Sequence, residues 1–264
     1  MVPGVVPAPY VEAVVRDIHA HVGADPADRG TWYPDGLVSG AGMVEMYHYQ
    51  SMWDVRQLPA LHRVFSEIHG TDALWVSLDR TNFKPPFDAA HPHFAFRGFI
   101  HWDTDITRYP DTHFAVQGVV ALADTTAEMG GFQCVPTLYR DLAGYLQRRR
   151  EAGADLQRVD VTGHEVVPVP LRAGDLVVWS TLMPHGNGEN RSDRVRLAQY
   201  VSMGRAHPDN EAARERRIAS WRTNGPAPGK PFPGDPRHIE EARSEPARLT
   251  ALGRRLLGID PWEA

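Results

Sequence analysis

The sequence predicts a mainly β protein whose antiparallel strands are flanked by helices at both termini. Short β-rich segments bounded by turn residues fill the middle of the chain. No helical crossover separates each pair of successive strands, as a parallel α/β sheet would require. Because 264 residues suit one domain, we predict a helical N-terminal flank (1–72), a β core (73–203) and a loop and helical C-terminal flank (204–264) within a single domain, 1–264.

Helices are predicted where apolar residues recur at helical spacing. Gly23 and Gly70 follow two of these segments, where glycine is a favoured C-cap, and Pro59 suits a first helical turn. The predicted helices span 11–22, 58–69, 139–152 and 238–257.

Strands are predicted where β-branched and aromatic residues cluster between glycine and aspartate turns. They span 73–82, 113–123, 165–169, 176–182 and 194–202. The core is therefore expected to be built mainly from the central third of the chain and the segment that follows it.

Composition excludes several classes of function. A net charge of -5 provides no basic field for nucleic acid, and no apolar run is long enough to span a bilayer. The N-terminal segment lacks the basic region of a signal peptide. The only cysteine, Cys134, cannot form an intramolecular disulfide, which fits a reducing compartment, so we expect a cytoplasmic protein.

The segment F-I-H-W-D-T-D contains a candidate metal-binding pair. On a strand, His101 and Asp103 would point to one side and Trp102 to the other. In a chain with 13 histidines such a pair also arises by chance, so two ligands alone do not define a site.

A third candidate ligand, His185, follows the predicted strand 176–182 in a loop rich in glycine and asparagine. Two imidazoles and one carboxylate form the facial triad of non-haem Fe(II) oxygenases, which leaves positions open for a bidentate cosubstrate and O₂. Zinc hydrolases use the same ligand types. The triad alone therefore leaves both classes open.

An arginine eleven residues after His185 favours the oxygenase. A 2-oxoacid that chelates iron leaves a distal carboxylate, and the planar guanidinium of Arg196 could bind it with two hydrogen bonds. Arg194 shares the predicted face and is the rival for this role. Alternatively, one or both arginines line a solvated strand edge.

The order of these motifs resembles the phytanoyl-CoA dioxygenase family of Fe(II)/2-oxoglutarate oxygenases. In that family an N-x-S-x-x-x-R run follows the distal histidine, matching Asn190, Ser192 and Arg196, and its arginine binds the C5 carboxylate of 2-oxoglutarate. The stretch 80–85 resembles the R-x-N-x-K-P strand of related ectoine hydroxylases, whose asparagine contacts the cosubstrate.

The resemblance implies a double-stranded β-helix (jelly-roll, cupin-like) core with flanking α-helices. It also implies that His101, Asp103 and His185 bind Fe(II). The residues implied to bind 2-oxoglutarate are Arg196 and Asn82, with a further polar contact from Asn187.

The implied activity is a dioxygenase reaction that hydroxylates or desaturates a small molecule and releases succinate and CO₂. Related enzymes that halogenate have glycine or alanine in place of the carboxylate ligand, so Asp103 argues against halogenation. A natural-product substrate is expected, together with O₂. The alternatives are a redox-silent metal-dependent enzyme of the cupin type and a non-catalytic ligand-binding jelly roll.

Other residues leave two interpretations open. Gln117 and Gln133 lie on predicted strands and could bind substrate or merely satisfy a backbone group. His91 and His93 flank a proline, which favours a surface or lid position over metal binding. We expect Cys134 to be a small buried residue.

Overall fold

A computed structural model describes residues 1–96, 98–113, 115–227 and 232–262. The helices are α1 (Ala8–Val22), α2 (Gln50–Arg56), α3 (Pro59–His69), α4 (Pro136–Arg140), α5 (Leu142–Glu151), α6 (Glu211–Thr223) and α7 (Ala251–Leu257). The strands are β1 (Met43–Val44), β2 (Leu74–Val76), β3 (Thr81–Lys84), β4 (Val116–Ala121), β5 (Phe132–Cys134), β6 (Val167–Pro168), β7 (Leu176–Ser180), β8 (His185–Asn187), β9 (Arg196–Tyr200) and β10 (Met203–Arg205).

The strands form antiparallel sheets. The largest has the order β1-β3-β9-β4-β7, a second has the order β6-β5-β8, and β10 pairs with β2. Inward side chains of the two larger sheets pack into one cluster, in which Phe132 of β5 meets Trp179 of β7. These two sheets therefore face each other, and the predicted mainly β fold with helical flanks is confirmed at this level.

Helices cover the outer face of the five-stranded sheet. Ile18 of α1 and Phe65 of α3 are fully buried in the main apolar cluster with Val120 of β4. A Cβ atom on Gly118 would lie 3.1 Å from the Phe65 ring and 2.5 Å from the Val201 carbonyl oxygen. The close approach of α3 to β4 therefore depends on a glycine at this position.

A third apolar cluster lies under α4 and α5 and includes Trp102, which is 5% exposed. The indole of Trp102 donates a hydrogen bond to the carbonyl of Leu156 at 3.2 Å. Trp102 is thus a packing residue, as predicted from alternation along the chain at His101 and Asp103.

The predicted helix 238–257 is wrong over most of its length, because only Ala251–Leu257 is helical. The Asp235 carboxylate accepts hydrogen bonds from backbone amides of a turn, and the Glu240 carboxylate accepts them from another part of the chain. Pro246 also disfavours a continuous helix here. Of the predicted C-terminal flank 204–264, residues 228–231 and 263–264 lie outside the described residues.

Several other boundaries differ from the prediction. Segment 73–82 divides into β2 and β3, which belong to different sheets, and segment 139–152 divides at Asp141 into α4 and α5. The charged helix α6 was not predicted, since it lacks an apolar stripe and begins at the Asn210 cap. The short strand β1 and the helix α2 lie within the predicted N-terminal flank.

No helix in the described ranges is long and apolar enough to cross a membrane.

Candidate metal centre

Backbone pairing brings the two candidate histidine ligands, His101 and His185, together. The His101 amide donates to the His185 carbonyl at 2.9 Å, and the His185 amide donates to the His101 carbonyl at 3.2 Å. His185 was predicted in a loop, but it is the first residue of β8, which pairs with β5. Its position is therefore held by hydrogen bonds on both sides.

The Asp103 carboxylate lies between the two imidazoles. Its Oδ1 is 3.4 Å from Nε2 of His101, and its Oδ2 is 3.1 Å from Nε2 of His185. One ligand atom from each residue can be chosen so that all three lie within 4.8 Å of one another. The structure thus brings together the three residues that the sequence analysis selected as candidate ligands.

The three side chains differ in their access to solvent. His185 is 5% exposed, whereas His101 is 31% and Asp103 is 36% exposed. The centre is therefore closed on the His185 side and open on the side of the H-x-D pair.

The hydrogen bond of the second ring nitrogen fixes the tautomer of His185. Its Nδ1 lies 2.8 Å from the Met183 carbonyl oxygen, so Nδ1 carries a proton and Nε2 points toward Asp103. The Nδ1 of His101 is buried and has no hydrogen-bond partner within the described ranges. The orientation of His101 is set instead by its backbone pairing and by the Phe99 ring, 4.7 Å away between centroids.

Electrostatics favour an ionised carboxylate at this centre. Burial alone would raise the pKa of Asp103, but the interactions of its carboxylate with the imidazoles of His101 and His185, in their protonated form when no metal is bound, outweigh it and hold the pKa far below its usual range. The Gln117 side chain contributes in the same direction, but less. Asp103 is therefore available as an anionic ligand at any physiological pH.

A second polar group lies on the inner face of the five-stranded sheet. Arg196 of β9 is 2% exposed, Asn82 of β3 is fully buried, and Nη1 of Arg196 donates to Oδ1 of Asn82 at 3.0 Å. Asn82 also donates to the Ala41 carbonyl at 3.1 Å. These two residues, selected from the sequence as cosubstrate contacts, are therefore in direct contact with each other.

Arg194 does not share this environment. Its side chain is 58% exposed, and it precedes the first residue of β9, so the two-residue period of the strand does not extend to it. Of the two candidate arginines, only Arg196 faces the interior.

Asn187 lies two residues after His185 on β8 and therefore faces the same side of the strand. Its Nδ2 donates to the Tyr200 hydroxyl of β9 at 2.9 Å. This hydrogen bond connects the two facing sheets, because β8 and β9 belong to different sheets.

Lys84 is a candidate functional residue that the sequence analysis did not select. It is 1% exposed, pairs with Arg196 in the β3–β9 register, donates to the Gly188 carbonyl and lies 4.6 Å from the Phe96 ring centroid. Burial, and secondarily the charge of Arg196, lowers the pKa of Lys84 to about 7, although Glu189 opposes the shift.

Two cationic side chains are thus buried side by side. No carboxylate in the described ranges forms an ion pair with either Lys84 or Arg196. Burying unpaired charges is costly, so this arrangement is typical of a site that receives an anion. The signal in the sequence was the alternation of Asn82 and Lys84, which puts both on one strand face.

The family model named phytanoyl-CoA dioxygenase (PhyH) matches residues 2–198, a range that includes every candidate ligand and cosubstrate contact named above. The chain belongs to the phytanoyl-CoA dioxygenase family. This result confirms the resemblance that the motifs indicated.

Similarity to individual proteins is more distant. The PhyH-family chain is 28% identical over 163 residues to the dioxygenase cdmD of Talaromyces verruculosus, in a match covering 58% of this chain and 47% of that protein. The chain spans about half the length of the curated relatives it matches.

Solved structures share the fold. The hypothetical protein JW0805 from Escherichia coli matches with a TM-score of 0.66 and 17% identity, over 97% of this chain and 78% of the other. The epimerase SnoN, in complex with Fe3+, alpha ketoglutarate and nogalamycin RO, matches with a TM-score of 0.51 and 19% identity, over 95% and 90% of the two chains.

Proposed function

We propose that this PhyH-family protein is an Fe(II)- and 2-oxoglutarate-dependent dioxygenase that acts on a small molecule. The observation that carries the proposal is the coexistence of a His-Asp-His centre with a buried, unpaired Arg196–Lys84 pair. A metal site alone would suit several enzyme classes, whereas a metal site together with an anion site suits a chelating cosubstrate that carries a distal carboxylate.

The donor set fits ferrous iron. Two imidazole nitrogens and one carboxylate oxygen would hold the ion on one face through His101, Asp103 and His185. The protonated Nδ1 of His185, bonded to the Met183 carbonyl, leaves Nε2 free to bind metal without a change of tautomer. The structural neighbour SnoN binds Fe3+ and alpha ketoglutarate, which supports the same cofactors here.

The anion site fits the distal carboxylate of 2-oxoglutarate. Asn82 accepts from one end of the Arg196 guanidinium, which holds its plane and leaves other N–H groups for a carboxylate. Lys84 adds a second positive charge, and Asn187 lies two residues from His185 on the same face of β8. We propose these four residues as the cosubstrate-binding set.

We also propose that the two facing sheets are the halves of a double-stranded β-helix within a single domain. The antiparallel pairing and the shared inner cluster of Phe132, Trp179 and Ala198 support this arrangement. In such a barrel the centre lies at an open end, where a substrate can approach it.

The side chains around the centre would control access. When bound, iron would activate O₂, which is the oxidant; one oxygen atom would go into succinate as 2-oxoglutarate is oxidised and loses CO₂, and the other would oxidise the substrate. Phe132 and Trp179 pack against His185 and exclude water from that side, with ring centroids 5.8 and 5.0 Å away.

The substrate would approach at the exposed side, over His101 and Asp103. Phe99 is 59% exposed there, and its ring lies next to that of His101. An apolar contact of this kind suits a natural product with hydrocarbon surface. The SnoN neighbour, solved with nogalamycin RO, supports that class of substrate.

The direct test is succinate release from 2-oxoglutarate across a panel of small metabolites and natural products, with and without Fe(II). We expect iron-dependent succinate with at least one compound, and an anaerobic absorption band when Fe(II) and 2-oxoglutarate are added together. A redox-silent metal enzyme would bind the metal but give neither signal. A ligand-binding jelly roll would retain ligand binding after loss of the triad.

Halogenation is not expected. Asp103 occupies the position that a halide would need on the metal, so chloride should be neither required for turnover nor incorporated into product. Mass spectrometry of products formed with chloride and bromide would test this, and a halogenated product would refute it.

Lys84 should make cosubstrate binding depend on pH. The pKa of Lys84 is lowered to about 7 by burial and by Arg196, so in the free protein the ammonium is lost as pH rises through that value. A neutral amine cannot attract a carboxylate, so kcat/KM for 2-oxoglutarate should fall about tenfold or more between pH 6 and pH 9.

The Lys84→Met variant keeps the length of the side chain but cannot be charged. It should show low kcat/KM for 2-oxoglutarate at pH 6 and lose most of the decline toward pH 9. A wild-type profile in Lys84→Met would exclude Lys84 from the cosubstrate site.

A further inference from the structure

Segment 98–101 leads into the H-x-D pair and lies along one edge of β8. Its pairing with β8 consists of the two hydrogen bonds between the backbones of His101 and His185, at 2.9 and 3.2 Å. On the opposite edge β8 pairs with β5 over three residue pairs, and β5 pairs in turn with β6. β8 is therefore held within its sheet, whereas segment 98–101 has β8 as its one strand partner in the described part of the chain.

Two glycines allow the segment to lie directly against the backbone of β8. A Cβ atom on Gly186 would lie 2.0 Å from the carbonyl oxygen of Phe99, and one on Gly98 would lie 2.3 Å from the carbonyl oxygen of Asn187. Contacts of a Cβ atom shorter than 3.0 Å are essentially never found in proteins. Because the atoms in the way belong to the backbone and cannot rotate aside, a side chain at either position would push the segment away from β8.

The distance at Gly186 gives the size of that displacement. The Phe99 carbonyl would have to move by about 1 Å or more to make room for a single methyl group. Phe99 is two residues from His101, and the two rings lie 4.7 Å apart, so the histidine would move with it. Ligand distances in a metal site hold to within about 0.2 Å, so this shift would spoil the position of the H-x-D pair relative to His185.

Gly186 is needed for space and not for an unusual backbone conformation. Its φ lies outside the left-handed region, unlike that of Gly98, which is +84°. Gly186 stands between His185 and Asn187 on β8, and by alternation their side chains point to the opposite face of the strand. β8 thus carries a candidate ligand on one face and presents bare backbone to segment 98–101 on the other.

We propose that Gly186 and Gly98 are positioning residues for the metal centre. The close contact that they allow holds the H-x-D pair at the distance from His185 that a single metal ion requires. This inference rests on the proposed function only in taking His101, Asp103 and His185 as metal ligands. A glycine needed only for folding would change the stability of the protein and leave its metal affinity unchanged.

The test is calorimetric titration of the metal-free protein with Co²⁺, which needs neither turnover nor a known substrate. The variants are Gly186→Ala and Gly98→Ala. Gly204→Ala in β10 is the matched control for Gly186→Ala, because its φ is not positive and a Cβ atom there would meet nothing within 4 Å. Gly36→Ala is the matched control for Gly98→Ala, because Gly36 has a φ of +73° but open space around it.

Gly186→Ala and Gly98→Ala should each raise the Co²⁺ dissociation constant by about 10- to 100-fold, the range found when the support of metal ligands is disturbed. At saturating Co²⁺ their visible absorption should also differ from that of the wild type, because displaced ligands change the geometry around the ion.

Both control variants should bind Co²⁺ as the wild type does. Gly36→Ala should nevertheless melt at a lower temperature, because alanine is strained at a positive φ. Thermal melting of every metal-free variant therefore separates a general loss of stability from a loss of metal affinity.

Wild-type Co²⁺ affinity in folded Gly186→Ala or folded Gly98→Ala would overturn the inference and leave the proposed function standing, even if the melting temperature fell. An equal loss of affinity in the two control variants would also refute it. If Gly186→Ala does not fold, Gly98→Ala decides the question, since it alters the edge segment and leaves β8 unchanged. Failure of the wild-type protein to bind Co²⁺, or binding that survives His185→Ala, would overturn both the inference and the proposed function.

Discussion

Replacing His185 with alanine is expected to reduce Fe(II)-dependent succinate formation to the background without enzyme. His185 is the most buried of the three candidate ligands, and the Met183 carbonyl holds its tautomer, so its Nε2 is oriented to bind the metal. Loss of one of only three protein ligands should both weaken iron binding and open the centre to water.

Two measurements make this result interpretable. Circular dichroism should show that His185→Ala retains the wild-type secondary structure, since His185 pairs with its neighbours through backbone atoms that alanine keeps. His207→Ala removes an exposed histidine outside the centre and should leave turnover unchanged. Normal iron-dependent turnover in His185→Ala would remove the assignment of the centre.

Replacing Arg196 with alanine should raise the apparent KM for 2-oxoglutarate about 10- to 100-fold, with a smaller effect on kcat at saturation. A hydrogen-bonded charge pair in a buried site contributes about 1.5 to 3 kcal/mol, which corresponds to a change in affinity of this size. Arg196 is 2% exposed and already oriented by Asn82, so its guanidinium loses little entropy on binding a carboxylate.

Arg194→Ala is the matched control for this experiment. Arg194 carries the same charge two residues away, but its side chain is 58% exposed and should contribute little. The apparent KM of Arg196→Lys should lie between those of the wild type and Arg196→Ala. The lysine ammonium keeps the positive charge but lacks the planar pair of N–H donors of a guanidinium. A raised KM in Arg194→Ala together with an unaffected Arg196→Ala would reverse the assignment of the cosubstrate arginine.

Thermal melting of Arg196→Ala distinguishes an effect on 2-oxoglutarate binding from an effect on folding. In the free protein Arg196 lies beside Lys84, and two like charges buried together oppose folding. The variant should therefore be no less stable than the wild type by thermal melting. Added 2-oxoglutarate should raise the melting temperature of the metal-loaded wild type more than that of Arg196→Ala.

The candidate ligands could be selected from the sequence because each lies in a short local pattern. His101 and Asp103 share one face by a two-residue spacing, and the run from Asn190 to Arg196 follows His185 in family order. Asn190 holds this run together in the structure, since its side chain binds the carbonyls of Lys84 and Arg194 and the amide of Ser192. A motif stabilised by its own local hydrogen bonds leaves a strong signal in sequence.

The helices that the sequence analysis missed lack such a signal. α6 is charged along most of its length and buries few residues, so periodicity does not reveal it.

Segment 238–250 shows the opposite error, because it was predicted to be helical and is not. It has helix-forming residues, but the Glu240 carboxylate turns inward and accepts hydrogen bonds from the amides of Tyr47 and His48, almost two hundred positions earlier in the chain. Tertiary hydrogen bonds of this range override local propensity.

The sequence by itself predicted the mainly β class, the helical flanks, the three candidate ligands and, through the family resemblance, Arg196 over Arg194. Only the tertiary structure decided that Arg194 is outside and Arg196 inside, that Lys84 lies beside Arg196, and that Trp179 donates a hydrogen bond to Gln117. The physical reason is that spacing along a strand fixes which face a side chain occupies. The pairing of distant strands fixes which side chains then meet across the sheet and between the two sheets.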